Sequence, residues 1–395
     1  MPWEETVDQR IRAVMDVVDN GFSKVSVCAD FGISRPTLDK WLDRYTEEGV
    51  EGLRDRSRAP HGHRHMVAAD IEAMIVALRR ELPDRGPRKI KVELERDYPH
   101  RSFPAASTIG DILDRHGLTV RRKRNRRTEA CTRPFAACKA PNDVWCIDFK
   151  GWFLTGDGRR CDPLTVSDGD TRFLIRCVHV PRTDFASVKP VLESAFREFG
   201  LPRAIRSDNG APFATRAPRG LSKLSVWWMK LGIIPERIEP GKPQQNGRHE
   251  RMHLTLKQCT ASPPKATLRA QQRAFRLFEQ DYNYRRPHEA LGQRTPGELY
   301  RPSPRPYPRR LPEIHYPAPM IVRRVEKKGV IWWHQSRIFI SEALGGESVG
   351  LLALDERYYR VYFDRLDLGI LDTRRCEFLR GKAEAKVLEK FFMEK

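Results

Sequence analysis

The sequence lacks the features that mark several large protein classes. It has no run of about 18 apolar residues, which argues against a membrane-spanning helix. The opening MPWEETVDQR has neither the basic nor the apolar half of a secretory leader, so a soluble, intracellular protein is expected. No CxxC pair occurs among the eight cysteines, which are scattered from Cys28 to Cys376. That spacing suits neither a zinc ribbon nor a disulfide framework, and reduced, mostly buried thiols are expected. Acid is also in short supply: 52 Asp+Glu face 72 Lys+Arg, a formal net charge of +20. A polyanionic partner is the default expectation for such a balance.

What is present divides into segments. At 395 residues the chain is long enough for two to four domains, each with its own core. Residues 1–58 read as a helix-turn-helix unit with three short helices between residues 5 and 48. In VSVCADFGISRPTLDKWLDRY, Cys28 stands four residues before Gly32, the small residue and the glycine suiting a close helix crossing and a tight turn. Ser34 is the candidate N-cap of the next helix, whose buried face carries Leu38, Trp41 and Leu42. Its exposed side presents Arg35, Pro36, Thr37 and Lys40, and Arg35, Thr37 and Lys40 are the candidate DNA-contacting residues. Residues 66–120 read as a second helical DNA-binding unit of three helices. The segment 121–142 is a basic linker without apolar periodicity. Its Arg121, Arg122, Lys123, Arg124, Arg126 and Arg127 suit an arm laid along phosphates.

From residue 143 to 300 strands alternate with helices, the pattern of an α/β core. Residues 301–318, rich in Pro and Arg, read as a linker. In 319–375, MIVRRV, VIWWHQSRIFI, SVGLLALD, YYRVYF and DLGILD read as five short strands, for which a small closed β-barrel is expected. Residues 376–395 are left as a C-terminal tail.

Three acids of the core stand out by context. Asp148 sits in a strand otherwise made of Trp145, Cys146, Ile147 and Phe149, where an unpaired carboxylate is costly. Asp208 closes the strand RAIRSDNG, at the place where open α/β sheets bind ligands. Glu250 lies on a helix after the loop EPGKPQQNGR. A strand acid, a strand-end acid and a helical acid can converge on one point, and convergent carboxylates hold divalent cations. Asp162, Asp168 and Asp170 are weaker rivals, because SDGD has the composition of a turn. A competing motif overlaps the third acid: His249-Glu250-Arg251-Met252-His253 matches the HExxH pattern of zinc metalloproteases. That alternative leaves Asp148, Asp208 and the basic charge unexplained.

With these residues in view, the chain resembles the DDE transposases of the retroviral-integrase superfamily, bacterial insertion-sequence transposases in particular. The resemblance rests on the tandem helical units, WCIDFKGWF, RSDNGAPF, PGKPQQNGRHERMH and YNYRRPHEALGQRTPGELY. It implies a ribonuclease-H-like core with Asp148, Asp208 and Glu250 as both catalytic and metal-binding residues. Lys257 falls where such transposases often carry a basic residue that meets DNA. The stretch from Asp208 to Glu250 is longer than the family's usual spacing, and ATRAPRGLSK can absorb the excess. The implied activity is cleavage at the 3' ends of a mobile element and strand transfer into target DNA, with two Mg²⁺ or Mn²⁺ per site. The implied partners are the element's terminal inverted repeats, target DNA and at least one further copy of the chain, in a bacterial cytoplasm and associated with the nucleoid. A catalytically silent DNA-binding regulator is the alternative within the same class.

Overall fold

The computed structural model describes residues 3–55, 67–119, 138–215, 217–239, 247–379 and 381–392. The basic residues 121–127 and the loop 240–246 lie outside these. The described chain separates into two units, 1–68 and 69–395.

The first unit holds α1 (Trp3–Val18), α2 (Lys24–Phe31) and α3 (Arg35–Glu48). Ala13, Val27 and Leu38 form its core, with Cys28, Trp41 and Leu42 packed against them. Gly32 turns the chain between α2 and α3 in the left-handed region (φ 62°), a conformation that a side chain would strain. Ser34 is at the N-cap of α3 as expected, but its hydroxyl pairs with the Thr37 hydroxyl (2.8 Å) and not with the helix backbone. Arg35 and Lys40 are exposed and Thr37 is half-buried.

The second unit opens with α4 (Ala69–Glu81), α5 (Pro87–Asp97) and α6 (Ala106–Arg115), which pack together. Ile75, Ile90 and Ile109 are among their buried residues. A buried charged cluster fixes this helical unit to the α/β core. Arg85, in the α4–α5 turn, is fully buried and pairs with Glu93 (2.6 Å), Asp84 (2.9 Å) and Asp281. Arg286 pairs with Asp84, and Arg285 with Glu81 at 2.9 Å. The two arginines of YNYRRPHE therefore serve this attachment.

The core is a mixed sheet of β1 (Val144–Phe149), β2 (Phe153–Leu154), β3 (Arg160–Asp168), β4 (Leu174–Val180), β5 (Ala204–Ser207) and β6 (Ile234–Arg237). The strand order is β2-β3-β1-β5-β6, with β4 on the other edge of β3. β1, β3 and β4 are antiparallel neighbours, whereas β5 and β6 run parallel to β1. Helices α7 (Phe185–Phe199) and α8 (Lys223–Lys230) cover one face. There Trp145, Ile147, Leu164 and Val166 join Trp227 and Trp228 in the main core. On the other face α9 (Gly247–Leu256) and α10 (Leu268–Gln280) bury Met252, Leu256, Phe275 and Phe278 against Cys161 and Cys177. Cys146, Cys161 and Cys177 are buried, but Cys28, Cys138 and Cys376 are half-buried and Cys259 is exposed, so the expectation of mostly buried thiols holds for only three of the seven described.

Edge strand β4 is shielded by side chains of α10 and the turn after it. Leu174 N donates to Asn283 Oδ1 and Asn283 Nδ2 to Leu174 O, both at 2.8 Å. His179 N donates to Gln272 Oε1 (2.9 Å), and Cys177 N to Glu279. These bonds occupy backbone groups that an incoming strand would use. Burial, the largest cause, pushes the Glu279 carboxyl from an ordinary 4.5 up to about 7. The folded protein thus holds this proton to a higher pH than the unfolded chain does. A stability penalty therefore develops as pH rises from about 4.5 to 7 and is full above that. Glu279→Gln keeps the acceptor for Cys177 and removes the charge. It should stabilise the protein by about 2 kcal/mol at pH 8, after allowance for partial exposure, and by nothing at pH 4. Urea titrations at the two pH values check this, and an equal gain at both would rule out the buried charge as the cause.

Residues 301–318 form no helix or strand, yet they are strapped to the core. Leu201 N donates to Arg305 O (2.7 Å), and the Arg305 guanidinium donates to the carbonyls of Pro202, Leu231 and Gly232. Between the core and this strap stands α11 (Pro296–Leu299). The C-terminal part contains β7 (Ile321–Arg324), β8 (Val330–Trp333), β9 (Ser336–Phe339), β10 (Ser348–Ala353), β11 (Tyr358–Phe363), β12 (Leu366–Asp372), β13 (Glu377–Leu379) and α12 (Lys382–Phe392). The expected closed barrel is not found among the described residues. Five strands form an open sheet in the order β13-β12-β11-β10-β7, and β8 and β9 form a separate hairpin. VIWWHQSRIFI, read from sequence as one strand, breaks at His334, whose φ of 51° ends an extended run. The hairpin touches β7 and β13, the two edges of the sheet, without extending its ladder. The segment expected as a tail carries β13 and α12.

Candidate active site

Strand register brings the first two acids together. In the parallel pair β1–β5, Val144 stands beside Ala204 and Cys146 beside Arg206. The same offset places Asp148 level with Asp208, at the carboxyl ends of neighbouring parallel strands, where sheets of this kind open to ligands. Trp145 and Ile147 point into the core under α7 and α8, so alternation turns Asp148 to the face covered by α9. Glu250 lies in the first turn of α9 and is exposed.

The charges of Asp208 and Glu250 both reach Asp148. The Asp148 carboxyl is pushed up to about 7, first by burial, then by the negative charge of Asp208, with Glu250 adding to it. Two cations border this negative centre. Burial lowers the Lys150 ammonium, and the nearby charge of Lys257 lowers it further, while Asp148 opposes both. Lys257 begins the π turn Lys257–Ala261 that continues α9, and it is exposed. Lys150 went unnoticed in the sequence; the available signal was its place two residues after Asp148, on the same side of an extended chain.

The histidines of the HExxH match sit behind the acids. His249 and His253 are 2% and 8% exposed. His249 Nε2 and His253 Nε2 each lie 2.7 Å from Thr165 Oγ1, and His249 Nδ1 lies 2.8 Å from Ser167 Oγ. Burial holds both rings neutral, at about 3 for His249 and about 2 for His253. One ligand atom each of Asp148, His249 and His253 falls within 4.8 Å of the others, so a metal at this point is geometrically conceivable. Both ring nitrogens of His249 are already engaged, however, and Glu250 faces solvent while the histidines face the sheet. Of the rival acids, Asp168 caps its own turn, accepting from Thr171 N and Thr171 Oγ1 at 2.8 and 2.7 Å, and Asp162 is engaged by Arg160.

Family models match both the helical and the α/β regions. An "Integrase core domain" matches residues 139–243, which hold Asp148 and Asp208, and another matches 231–296, which hold Glu250 and Lys257. A "Helix-turn-helix domain" matches 9–61 and a "Homeodomain-like domain" 37–113. An uncharacterized protein of insertion element IS407 from Burkholderia multivorans is 32% identical over 231 residues, which span 58% of this chain and 80% of that relative. The chain belongs to the integrase-core transposases of insertion elements. The transposase is also 28% identical over 297 residues to transposase InsD of an Escherichia coli IS2 element, covering 71% of this chain and 91% of InsD. Among solved structures, a chain of the simian T-cell lymphotropic virus intasome is similar at a TM-score of 0.37 and 17% identity, covering 74% of the transposase and 97% of that chain. The HTLV-2 integrase catalytic core in complex with magnesium is similar at 0.32 and 14%, covering 41% and 98%. No helix among the described residues of the transposase is long and apolar enough to cross a membrane.

Proposed function

We propose that the transposase cleaves the 3' ends of its element and joins them to target DNA, with Asp148, Asp208 and Glu250 as the catalytic acids. What supports this reading is the β1–β5 register, whose offset sets Asp148 level with Asp208, together with the charges of Asp208 and Glu250 acting on the Asp148 carboxyl. Carboxylates crowded together raise one another's proton affinity unless a cation neutralises them. Their oxygen donors suit Mg²⁺ or Mn²⁺, and two cations per site suit three carboxylates. Such cations, when bound, activate the attacking oxygen and neutralise charge at the phosphate. The chain's own groups supply the rest. Lys150 and Lys257 offer ammonium groups to the phosphate backbone beside the acids, while Arg35, Thr37 and Lys40 on α3 offer a reading surface for the terminal repeats. Arg121, Arg122, Lys123, Arg124, Arg126 and Arg127 would add sequence-independent affinity. We assign the active form to at least a dimer on DNA, so that two element ends are held together, in the bacterial cytoplasm.

The zinc-protease alternative is tested directly. Elemental analysis should find no stoichiometric zinc, and His249→Ala should retain a measurable part of its Mn²⁺-dependent nicking. One zinc per chain, lost in that variant, would transfer the site to the histidines. Lys150→Ala and Lys257→Ala should each weaken binding of pre-cleaved element ends and flatten its salt dependence by roughly one counterion per contact. An unchanged salt slope in both variants would remove the lysines from the DNA path.

A further inference from the structure

Thr165 lies directly across the β1–β3 ladder from Asp148, on the face that α9 covers. Its side chain is buried and has three polar neighbours: the Asp148 carbonyl at 3.1 Å and the Nε2 atoms of His249 and His253 at 2.7 Å. A hydroxyl has one proton and accepts two bonds. With that proton on the Asp148 carbonyl, both imidazoles must donate from Nε2. His249 Nδ1 then accepts from Ser167 Oγ at 2.8 Å. His253 Nδ1 faces Asp148 Oδ2 at 3.9 Å.

We infer that Thr165, through His249 and His253, is the positioning residue that sets the helix of Glu250 against the strand of Asp148. The histidines are four apart and mark successive turns of α9, so two bonds to one hydroxyl fix both its rotation and its height above β3. The apolar contacts of α9, Met252 and Leu256 against Cys161, Cys177 and Phe275, are non-directional and leave both free to vary. Glu250 lies between the two anchors in sequence and takes its place from them. Thr165 touches no reacting atom in this arrangement; it acts through α9.

The inference rests on the reading of Asp148, Asp208 and Glu250 as cation ligands, and its test separates the two. Mn²⁺ binding is measured by electron paramagnetic resonance on the full-length chain without DNA, alongside gel shifts with element-end DNA. If the wild-type chain binds no Mn²⁺, or Asp208→Asn binds as well as wild type, the ligand reading fails and the clamp fails with it. Given wild-type binding, Thr165→Val should weaken Mn²⁺ affinity by about tenfold or more, the range seen when groups supporting metal ligands are removed. Thr165→Ser should bind like wild type, and DNA affinity should hold in both variants. Wild-type Mn²⁺ affinity in Thr165→Val, or equal damage in Thr165→Ser, overturns the clamp. If Thr165→Val does not fold, His253→Gln and His253→Leu decide, because the Gln amide keeps a donor at about the Nε2 position. The clamp requires the Gln variant to stay near wild type and the Leu variant to lose affinity. Equal losses in the two would make the imidazole itself a ligand and overturn a positioning role.

Discussion

Asp208→Asn is expected to reduce nicking of element-end DNA by about a thousandfold or more while leaving the affinity for that DNA nearly unchanged. A lost cation ligand removes several kcal/mol of transition-state stabilisation, and each 1.4 kcal/mol is about a factor of ten. The fold should not notice. Gly210 N donates to Asp208 Oδ1 at 3.2 Å, a bond that the Asn amide oxygen can still accept. Glu250→Gln should behave in the same way, because Glu250 is exposed. Asp148→Asn adds a signature that an ordinary destabilising change cannot imitate. The Asp148 carboxyl is held at about 7 by burial and by its acidic neighbours, so its ionised form weighs against the fold as pH rises toward 7 and beyond. The neutral amide escapes that penalty. In the absence of divalent cation, Asp148→Asn should melt higher than wild type at pH 8, with little difference at pH 4, and yet not cut DNA. Nicking assays, gel shifts and melting curves on the three variants read all of this together. Nicking at wild-type rates in any of them would remove that residue from the active site.

Two of the candidate acids stand out in the sequence by local context. Asp148 interrupts an apolar strand, and Asp208 stands where a strand ends before Asn209-Gly210. What sequence could not supply was the register that sets them level, since pairing between β1 and β5 joins segments some sixty residues apart. The same strand alternation that turns Asp148 to the α9 face also runs through Leu164-Thr165-Val166-Ser167, with the apolar members in the main core and the hydroxyls under α9. That pattern was readable, but its meaning depended on knowing that α9 lies across it. His249 and His253 were visible as a pair on one helical face, and only burial against Thr165 shows what the face meets. In the C-terminal part alternation disclosed strands without their closure, because a turn at His334 and the choice of edge partners are not encoded in period. For α10 the buried Phe275 and Phe278, three residues apart, are a helical spacing already present in the sequence.

Arg85→Met should cost about 3–5 kcal/mol, the range for breaking a buried ion pair by removing one partner. Arg85 is 0% exposed, as is Glu93, and the substitution removes the ion-pair partner 2.6 Å from that carboxylate, leaving it the longer contact with Arg285 at 3.5 Å. Arg85→Met combined with Glu93→Leu should recover much of the loss, because neither buried charge then remains and apolar groups of similar volume fill the site. The cycle therefore separates pairing from packing. Urea denaturation of the full chain measures the global term, and hydrogen exchange in α4, α5 and α6 measures the local one. Protection in these helices should fall in the single variant before it falls in β1 or β3, since the cluster joins the helical unit to Asp281 and Arg286 at the end of α10. A single variant within about 1 kcal/mol of wild type, the level of a surface pair, would show that the cluster does not hold the two together. If it does hold them, the second helical unit cannot swing freely on the core. Any DNA surface it offers then stands at a fixed distance from Asp148 and Asp208, so Arg85→Met should blur the position of the cut on element-end DNA while sparing its chemistry. Mapping the cleaved ends of both variants at single-nucleotide resolution would show this as a spread of cut positions in Arg85→Met that narrows again in the double variant.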